Sequence, residues 1–176
     1  MGKNRIFAIV FGLVLVAAAT AQNRLVVSSS SPEIDGVIVA GEYSLMIELP
    51  RGTLYLNRTE QVLSIAIQSE LDGWVGVGLG SQRMNQASIY IGYVDSGREV
   101  FARQQGRGHS HRDASVAEPA EVRLGENAAG TVMELSFPAS AFVPSGSSRL
   151  SLIVACGKRN NLTSYHSMRR GLEIEL

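Results

Sequence analysis

The stretch that decides the fold is Val75-Gly76-Val77-Gly78-Leu79-Gly80, which a polar loop over 81–86 joins to a second apolar run at 87–95. In the first run each glycine alternates with a branched apolar residue, and successive side chains point to opposite faces of a strand. One face is therefore apolar, and the other is bare backbone that a large flat ligand or a second backbone can approach closely. The stretch predicts strand, loop and strand, with an open surface on one side.

Short runs of the same kind fill the rest of the chain and predict an all-β fold. Apolar and polar residues alternate, or β-branched residues cluster, in runs that turn residues separate. Asp95-Ser96-Gly97 lies between two runs and is typical of a β-hairpin, whereas only 138–142 indicates a helical turn. We expect a single antiparallel β-sandwich of the immunoglobulin-like class. Its strands are expected at 43–49, 53–56, 62–68, 75–80, 89–94, 99–103, 121–124, 131–137, 150–156 and 172–176.

The first 21 residues have the pattern of a secretory signal peptide. Lys3 and Arg5 precede an uncharged apolar run, and Ala19-Thr20-Ala21 fits the small-residue cleavage pattern. The run is shorter than the ~20 residues that span a bilayer, so we expect cleavage and a secreted or periplasmic protein. Retention of the signal as an uncleaved membrane anchor stays the alternative. The rest of the chain divides into a polar N-terminal segment, 22–31, and one sandwich domain, 32–176.

Charge and cysteine content exclude some classes of protein. The chain has 16 Lys and Arg against 16 Asp and Glu, without a basic cluster, which argues against nucleic-acid binding. Cys156 is the single cysteine, so no internal disulfide is available and the core must provide the stability. Asn57 and Asn161 each begin an N-glycosylation pattern, and the sequence leaves open whether either is used.

The polar loop after the first strand presents one soft side chain, Met84. One interpretation is that this methionine folds back over the core, because methionine fills irregular gaps well. The other is that its thioether is a ligand for a redox metal such as haem iron. The loop residues alone leave both interpretations open.

The pattern Gly73-Trp74-Val75-Gly76-Val77-Gly78, a loop methionine, and Ala87-x-Ile89-x-Ile91-Gly92-Tyr93-Val94-Asp95 resembles the DOMON family. The resemblance is to its haem-binding branch, which includes the cytochrome domain of cellobiose dehydrogenase, and it covers roughly 32–176. It implies a β-sandwich that binds haem b. In that branch a loop methionine and a histidine near the C-terminus hold the iron. The matching residues here are Met84 and His166, the latter within the segment 165–171.

The resemblance also implies an electron carrier and not an enzyme. A methionine and histidine pair fills both axial positions of the iron, so single-electron transfer to or from a separate dehydrogenase or membrane cytochrome is expected. Arg169 and Arg170 are candidate partners for haem propionates, because guanidinium groups suit carboxylates. Trp74 is a candidate cofactor contact, although a core anchor is its simpler role. Three other methionines are expected elsewhere: Met46 and Met133 in the core, and Met168 beside His166 as a competing ligand.

A second group of candidates is Gly106-Arg107-Gly108-His109-Ser110-His111-Arg112-Asp113. Two histidines on a glycine-rich loop, with Asp113 beside them, can bind a divalent ion or copper. A third clear ligand is missing, and the family resemblance favours a role in shaping the loop. The sequence contains no Ser, His and Asp in the order of a known catalytic triad, and it contains no phosphate-binding loop.

The alternative function is a haem-free binding module of the same architecture. Ile34-Asp35-Gly36 with Gly41-Glu42-Tyr43 is found at the start of DOMON domains and also resembles family-nine carbohydrate-binding modules. Such a module would bind a sugar or another small ligand on aromatic side chains. The candidates for that role are Trp74, Tyr90 and Tyr93.

Overall fold

Two antiparallel β-sheets packed face to face make up the computed structural model, which describes residues 23–176. This confirms the expected β-sandwich. The strands are β1 (Leu45–Leu49), β2 (Gly52–Arg58), β3 (Val62–Ser69), β4 (Val75–Leu79), β5 (Ser88–Asp95), β6 (Arg98–Arg107), β7 (Ser110–Asp113), β8 (Glu121–Asn127), β9 (Gly130–Pro138), β10 (Arg149–Cys156) and β11 (Met168–Glu175). A single 3-10 turn, Ala139–Ala141, lies at the predicted helical position.

The strand order puts the glycine-rich strand in the middle of the larger sheet. One sheet has five strands in the order β1-β2-β3-β9-β8, and the other has six in the order β11-β10-β4-β5-β6-β7. β4 pairs with β10 on one side and β5 on the other. The hairpin between β5 and β6 turns at Ser96 and Gly97, both with positive φ, as the sequence predicts.

The main core lies between the sheets because the inward-facing residues of both are apolar. On β4 the inward residues are Val75, Val77 and Leu79, each exposed by 1% or less. Burial of this kind contributes about 25 cal/mol per Å² of apolar surface. Cys156 also lies in this core, and burial raises the pKa of its thiol, which disfavours the thiolate form.

Three of the sequence-based predictions need correction. Met46 is exposed, because β1 is an edge strand and its side chain points outward. Met168 lies in the core between the sheets and not beside His166, because β11 begins at Met168 and turns that side chain inward. The segment at His111 is a strand, β7, and not a loop. Met133 is buried in the core, as predicted.

The N-terminal part of the described chain lies against the sandwich. Leu25 is buried and donates its backbone N–H to Glu175, and Val27 forms an isolated parallel bridge with Arg58. Asn57 is buried and donates to the carbonyl of Ser30. The predicted signal peptide lies outside the described residues. Within residues 23–176, no helix has the length and apolar character to cross a bilayer.

A buried carboxylate fixes the segment that carries the Ile-Asp-Gly pattern. Glu134 on β9 is fully buried, and it accepts hydrogen bonds from the Tyr43 hydroxyl at 2.6 Å and the Gly36 N–H at 2.7 Å. The N–H of Asp35 donates to it at 3.2 Å. Burial raises the pKa of Glu134, and these bonds oppose the rise. The pattern at 34–43 therefore closes one side of the sandwich, opposite the glycine-rich face.

Candidate functional site

The outer face of the six-stranded sheet carries a second apolar cluster with a cavity above it. The bare face of β4 presents Gly76 and Gly78, and the neighbouring strands place isoleucines beside them, with Ile89 and Ile91 on β5 and Ile153 on β10. The cavity has a volume of about 360 Å³, which lies in the range of small-ligand sites, ~300–1,000 Å³.

The floor of the cavity depends on Gly76 and Gly78 of β4, which have no side chains. A Cβ on Gly76 would contact nothing closer than 3.4 Å, so it would project into the cavity without collision. A Cβ on Gly78 would lie 2.7 Å from the Ile153 side chain and 3.0 Å from Ala87. The open face predicted from the alternating glycines is therefore present at Gly76, whereas the side chains of Ile153 and Ala87 cover Gly78, and together they form an apolar floor.

Met84 is held over one side of this floor by a short, well-bonded loop. Gln86 donates its N–H to the carbonyl of Gly106 at 3.0 Å, and the N–H of Gly106 donates to Ala87 at 3.0 Å. The side chain of Asn85 accepts from the N–H of Gly108 at 2.9 Å. Met84 is half-buried and lines the cavity. Its loop is thus attached to β6, three positions from β10 in the sheet.

His166 lines the same cavity from the segment between β10 and β11. Trp74 packs its ring on Gly157 and donates its indole N–H to the hydroxyl of Ser164 at 2.9 Å. Ser167 donates its N–H to the carbonyl of Cys156 at 2.7 Å. These contacts hold the segment across the end of the cavity. Trp74 itself is 6% exposed and belongs to the apolar cluster while also lining the cavity.

The two arginines after His166 point to different sides of the sheet. Arg169 lines the cavity, on the outer face of β11. Arg170 does not, because the next residue on a strand faces the other way. Its guanidinium donates to the carbonyl of Glu48 on β1, in the opposite sheet, at 3.3 Å. Only Arg169 therefore lies where a ligand in the cavity can meet it.

The β6–β7 hairpin supplies a further wall that the sequence prediction did not assign to this site. His109, Ser110 and His111 all line the cavity. His111 is half-buried and forms a hydrogen bond through Nδ1 with Gln104 Oε1. Burial lowers the pKa of His111, so its neutral form is favoured. Residues 23–176 contain no group of three or more His, Cys, Asp or Glu side chains close enough to bind a metal ion.

Aromatic side chains do not form an open platform at the predicted positions. Trp74 and Tyr90 are buried, with 6% and 0% exposure, and Tyr93 is half-buried within the outer apolar cluster. Tyr90 packs inward and donates its hydroxyl to the carbonyl of Ala117. The exposed aromatic at the cavity is Tyr165, at 89%. A flat sugar-stacking surface made of Trp74, Tyr90 and Tyr93 is therefore absent.

The chemistry of the site follows from its donor set. A thioether and imidazoles line one apolar cavity, and soft sulfur with borderline nitrogen is a set that suits iron or copper. The floor is apolar and a guanidinium lies at one side, which suits a large flat ligand with anionic groups at its edge.

The chain is similar in structure to two cytochrome domains. It aligns with the cytochrome b domain of pyranose dehydrogenase from Coprinopsis cinerea, with 14% identity and a TM-score of 0.48 over 65% of this chain and 67% of that one. It aligns also with the cytochrome domain of Myriococcum thermophilum cellobiose dehydrogenase, with 11% identity and a TM-score of 0.48 over 74% and 80% of the two chains. No family model and no curated protein matches the sequence.

Sequence reasoning missed the residues that orient the walls. Gly106 lies under Met84, and Gln104 lies beside His111. The sequence feature that could have revealed them is the short polar run after Gly108. This run forms β7 and pairs with β6, so that Gln104 lies opposite Asp113 and Gly106 lies opposite His111. A polar strand at a sheet edge has little hydrophobic alternation, so its sequence predicts a loop.

Proposed function

We propose that this chain is an exported haem b-binding domain that transfers single electrons to or from a separate redox partner, with Met84 and His166 as the iron ligands. The observation that carries the proposal is that both side chains line one apolar cavity although they lie far apart in sequence. The segments that carry them lie on opposite sides of the glycine floor of β4, since the loop of Met84 is hydrogen-bonded to β6 and His166 lies between β10 and β11. This is the arrangement that a flat ligand with two axial donors requires.

The residues of the cavity fit haem in chemistry as well as in position. Haem bound between a thioether and an imidazole supplies one-electron chemistry, and the thioether raises the reduction potential. Gly76 lets the backbone of β4 approach a flat ring closely. The isoleucines beside it exclude water from the floor. Arg169 is the candidate for a propionate, and the orientation of Arg170 supports leaving that residue out of the cofactor contacts.

A carrier role is favoured over an enzymatic one. Met84 and His166 would together hold the iron at both positions where oxygen or peroxide would otherwise bind. The proposed partner is a dehydrogenase or a membrane cytochrome. The signal-peptide pattern at 1–21 supports a secreted or periplasmic location.

The proposal is tested by visible spectroscopy of the mature chain expressed with haem available, before and after reduction with dithionite. We expect a sharp Soret band with resolved α and β bands on reduction, which identifies a low-spin b-type cytochrome. A folded, colourless protein that refuses added haem would overturn the proposal. That outcome would direct attention to the haem-free alternative, a small-ligand module.

Matched methionine variants identify the sulfur ligand. Met84→Leu should remove the near-infrared band of methionine-ligated ferric haem, because leucine has a similar volume but no sulfur. Met168→Leu is the control, since Met168 is buried between the sheets and its replacement should leave the spectrum unchanged. His166→Ala should lose most haem affinity. If His166→Ala retains full affinity, this histidine is not a ligand.

A further inference from the structure

The wall of the cavity that carries Met84 also carries a histidine that the proposed coordination does not use. Met84 lies directly over Gly106, with its Cγ 3.3 Å from the point where a Cβ on that glycine would be. Gly106 on β6 is the register partner of His111 on β7. Facing residues of paired antiparallel strands lie ~4.5–5.5 Å apart at their Cα atoms. His111 is therefore a close neighbour of Met84 on the same side of the cavity.

A chain of hydrogen bonds fixes the tautomer of His111. The carboxylate of Asp113 accepts from Nε2 of Gln104 at 2.9 Å, and a carboxylate can only accept. This sets the orientation of the Gln104 amide, so that its Oε1 faces Nδ1 of His111. Since Oε1 can only accept, Nδ1 must carry the proton. Nε2 is then left with a free lone pair.

This is the condition in which histidine binds metals. Ligand histidines generally donate their other ring N–H to a carbonyl or carboxylate, which fixes the ring and raises its basicity. Nε2 of His111 has no hydrogen-bond partner among residues 23–176. His166 differs, because neither of its ring nitrogens is hydrogen-bonded within that part of the chain, and its described contact is with the ring of Tyr165.

We propose that His111 is a reserve iron ligand on the Met84 side, which binds through Nε2 when the thioether is missing. Gln104 and Asp113 are its positioning residues. This inference rests on the proposed haem function and adds a second coordination state to it, with His111 and His166 as the pair. Two imidazoles keep iron low-spin, and the loss of the thioether lowers the reduction potential relative to the methionine-bound form.

The first test compares Met84→Ala with Met84→Ala/His111→Ala after loading with haem b. Alanine removes the thioether and makes room for His111. We expect Met84→Ala to stay low-spin with a lower potential, and the double variant to become high-spin. Met84→Ala/His109→Ala is the matched control, because His109 lines the cavity but is exposed and has no orienting hydrogen bond to any residue of 23–176. It should stay low-spin.

The results of this comparison distinguish a failure of the proposed role of His111 from a failure of the proposed haem function. A high-spin Met84→Ala variant, or a low-spin double variant, would overturn the role of His111 while leaving the haem function intact. A wild-type chain that binds no haem would overturn the proposed function, and the reserve ligand with it. A wild-type spectrum that Met84→Leu leaves unchanged and His111→Ala abolishes would show that His111 is the resident ligand, which overturns the reserve role.

The second test needs no haem. Nitrogen NMR of the imidazole ring in the haem-free chain should show His111 protonated at Nδ1 and unprotonated at Nε2. Gln104→Leu should remove that preference, because leucine cannot accept the N–H. A ring protonated at Nε2 in the wild-type chain would overturn the proposal whatever the haem experiments give.

Discussion

The carbonyl oxygen of Met84 occupies the space in which a side chain on Gly106 would begin. A Cβ at position 106 collides with backbone, which cannot move aside as a flexible side chain does. We expect Gly106→Ala to displace the 84–87 loop from β6 and to remove Met84 from the cavity. The variant should fold but lose the near-infrared methionine band, and its haem affinity should fall at least tenfold, the equivalent of about 1.4 kcal/mol.

Gly108→Ala is the control for this prediction in the same hairpin. Gly108 has a φ of +62°, and a Cβ there would meet nothing within 4 Å. The substitution costs only the left-handed backbone conformation, roughly 1–2 kcal/mol, and should leave the methionine band in place. Equal loss of the band in both variants would show that hairpin strain, and not the contact with Met84, is responsible.

The hydrogen bond from Trp74 to Ser164 links the floor of the cavity to the segment that carries His166. Trp74→Phe keeps an aromatic ring on Gly157 but removes the indole N–H, and Ser164→Ala removes the acceptor. In a double-mutant cycle we expect a coupling free energy of about 1 kcal/mol for unfolding. Chemical denaturation of the four proteins measures it.

The same double-mutant cycle should show coupling in the free energy of haem binding, because the Trp74–Ser164 hydrogen bond fixes the segment that carries His166 before haem binds. Each single variant should bind haem more weakly than wild type, and the two effects should not add. Additive losses would mean that Trp74 and Ser164 act separately and that the hydrogen bond does not position His166.

The glycine face was predictable from sequence because glycine at every second position of a strand leaves one face of that strand without side chains. Gly76 and Gly78 alternate with Val75 and Val77, and the structure places the glycines outward and the valines inward. The inward residues of the other strands follow the same hydrophobic alternation. The sandwich and most of its strands were therefore correctly predicted.

The walls of the site were harder to predict because they depend on which way single residues face. Arg169 and Arg170 are adjacent and chemically identical, and only the start of β11 decides that Arg169 meets the cavity. Met168 was assigned to the wrong side for the same reason. The sequence predicts a loop at His111 because β7 is polar and short, and only the pairing of β7 with β6 reveals the position of this residue.

The buried carboxylate of Glu134 should make stability depend on pH. Its pKa is raised by burial above the ordinary value of 4.5, so the native state holds this proton more tightly than the unfolded state does. The free energy of unfolding should therefore decrease as the pH rises from about 4.5 through the raised native pKa. Denaturant titrations of wild type across this interval measure the slope.

Glu134→Gln separates the charge from the hydrogen bonds. Its carbonyl oxygen can accept from the N–H groups of Gly36 and Asp35, and its amide can donate to the Tyr43 hydroxyl oxygen. We expect a shallower pH dependence with the fold retained. Glu134→Leu instead leaves these donors without an acceptor and should cost at least ~1–3 kcal/mol. An unchanged pH slope in Glu134→Gln would show that another group titrates.

Arg169 and Arg170 form a matched pair for testing which guanidinium serves the cavity. Arg169 lines it, whereas Arg170 donates to the carbonyl of Glu48 on the opposite sheet. Hydrogen bonds to charged groups contribute roughly 1.5–3 kcal/mol, so Arg169→Ala should weaken haem binding about tenfold or more. Arg170→Ala should leave haem binding unchanged and slightly lower the free energy of unfolding. Titration of each haem-free variant with haem b gives the comparison. Equal weakening in both would place the anionic edge of the ligand at the end of β11 and not over its outer face.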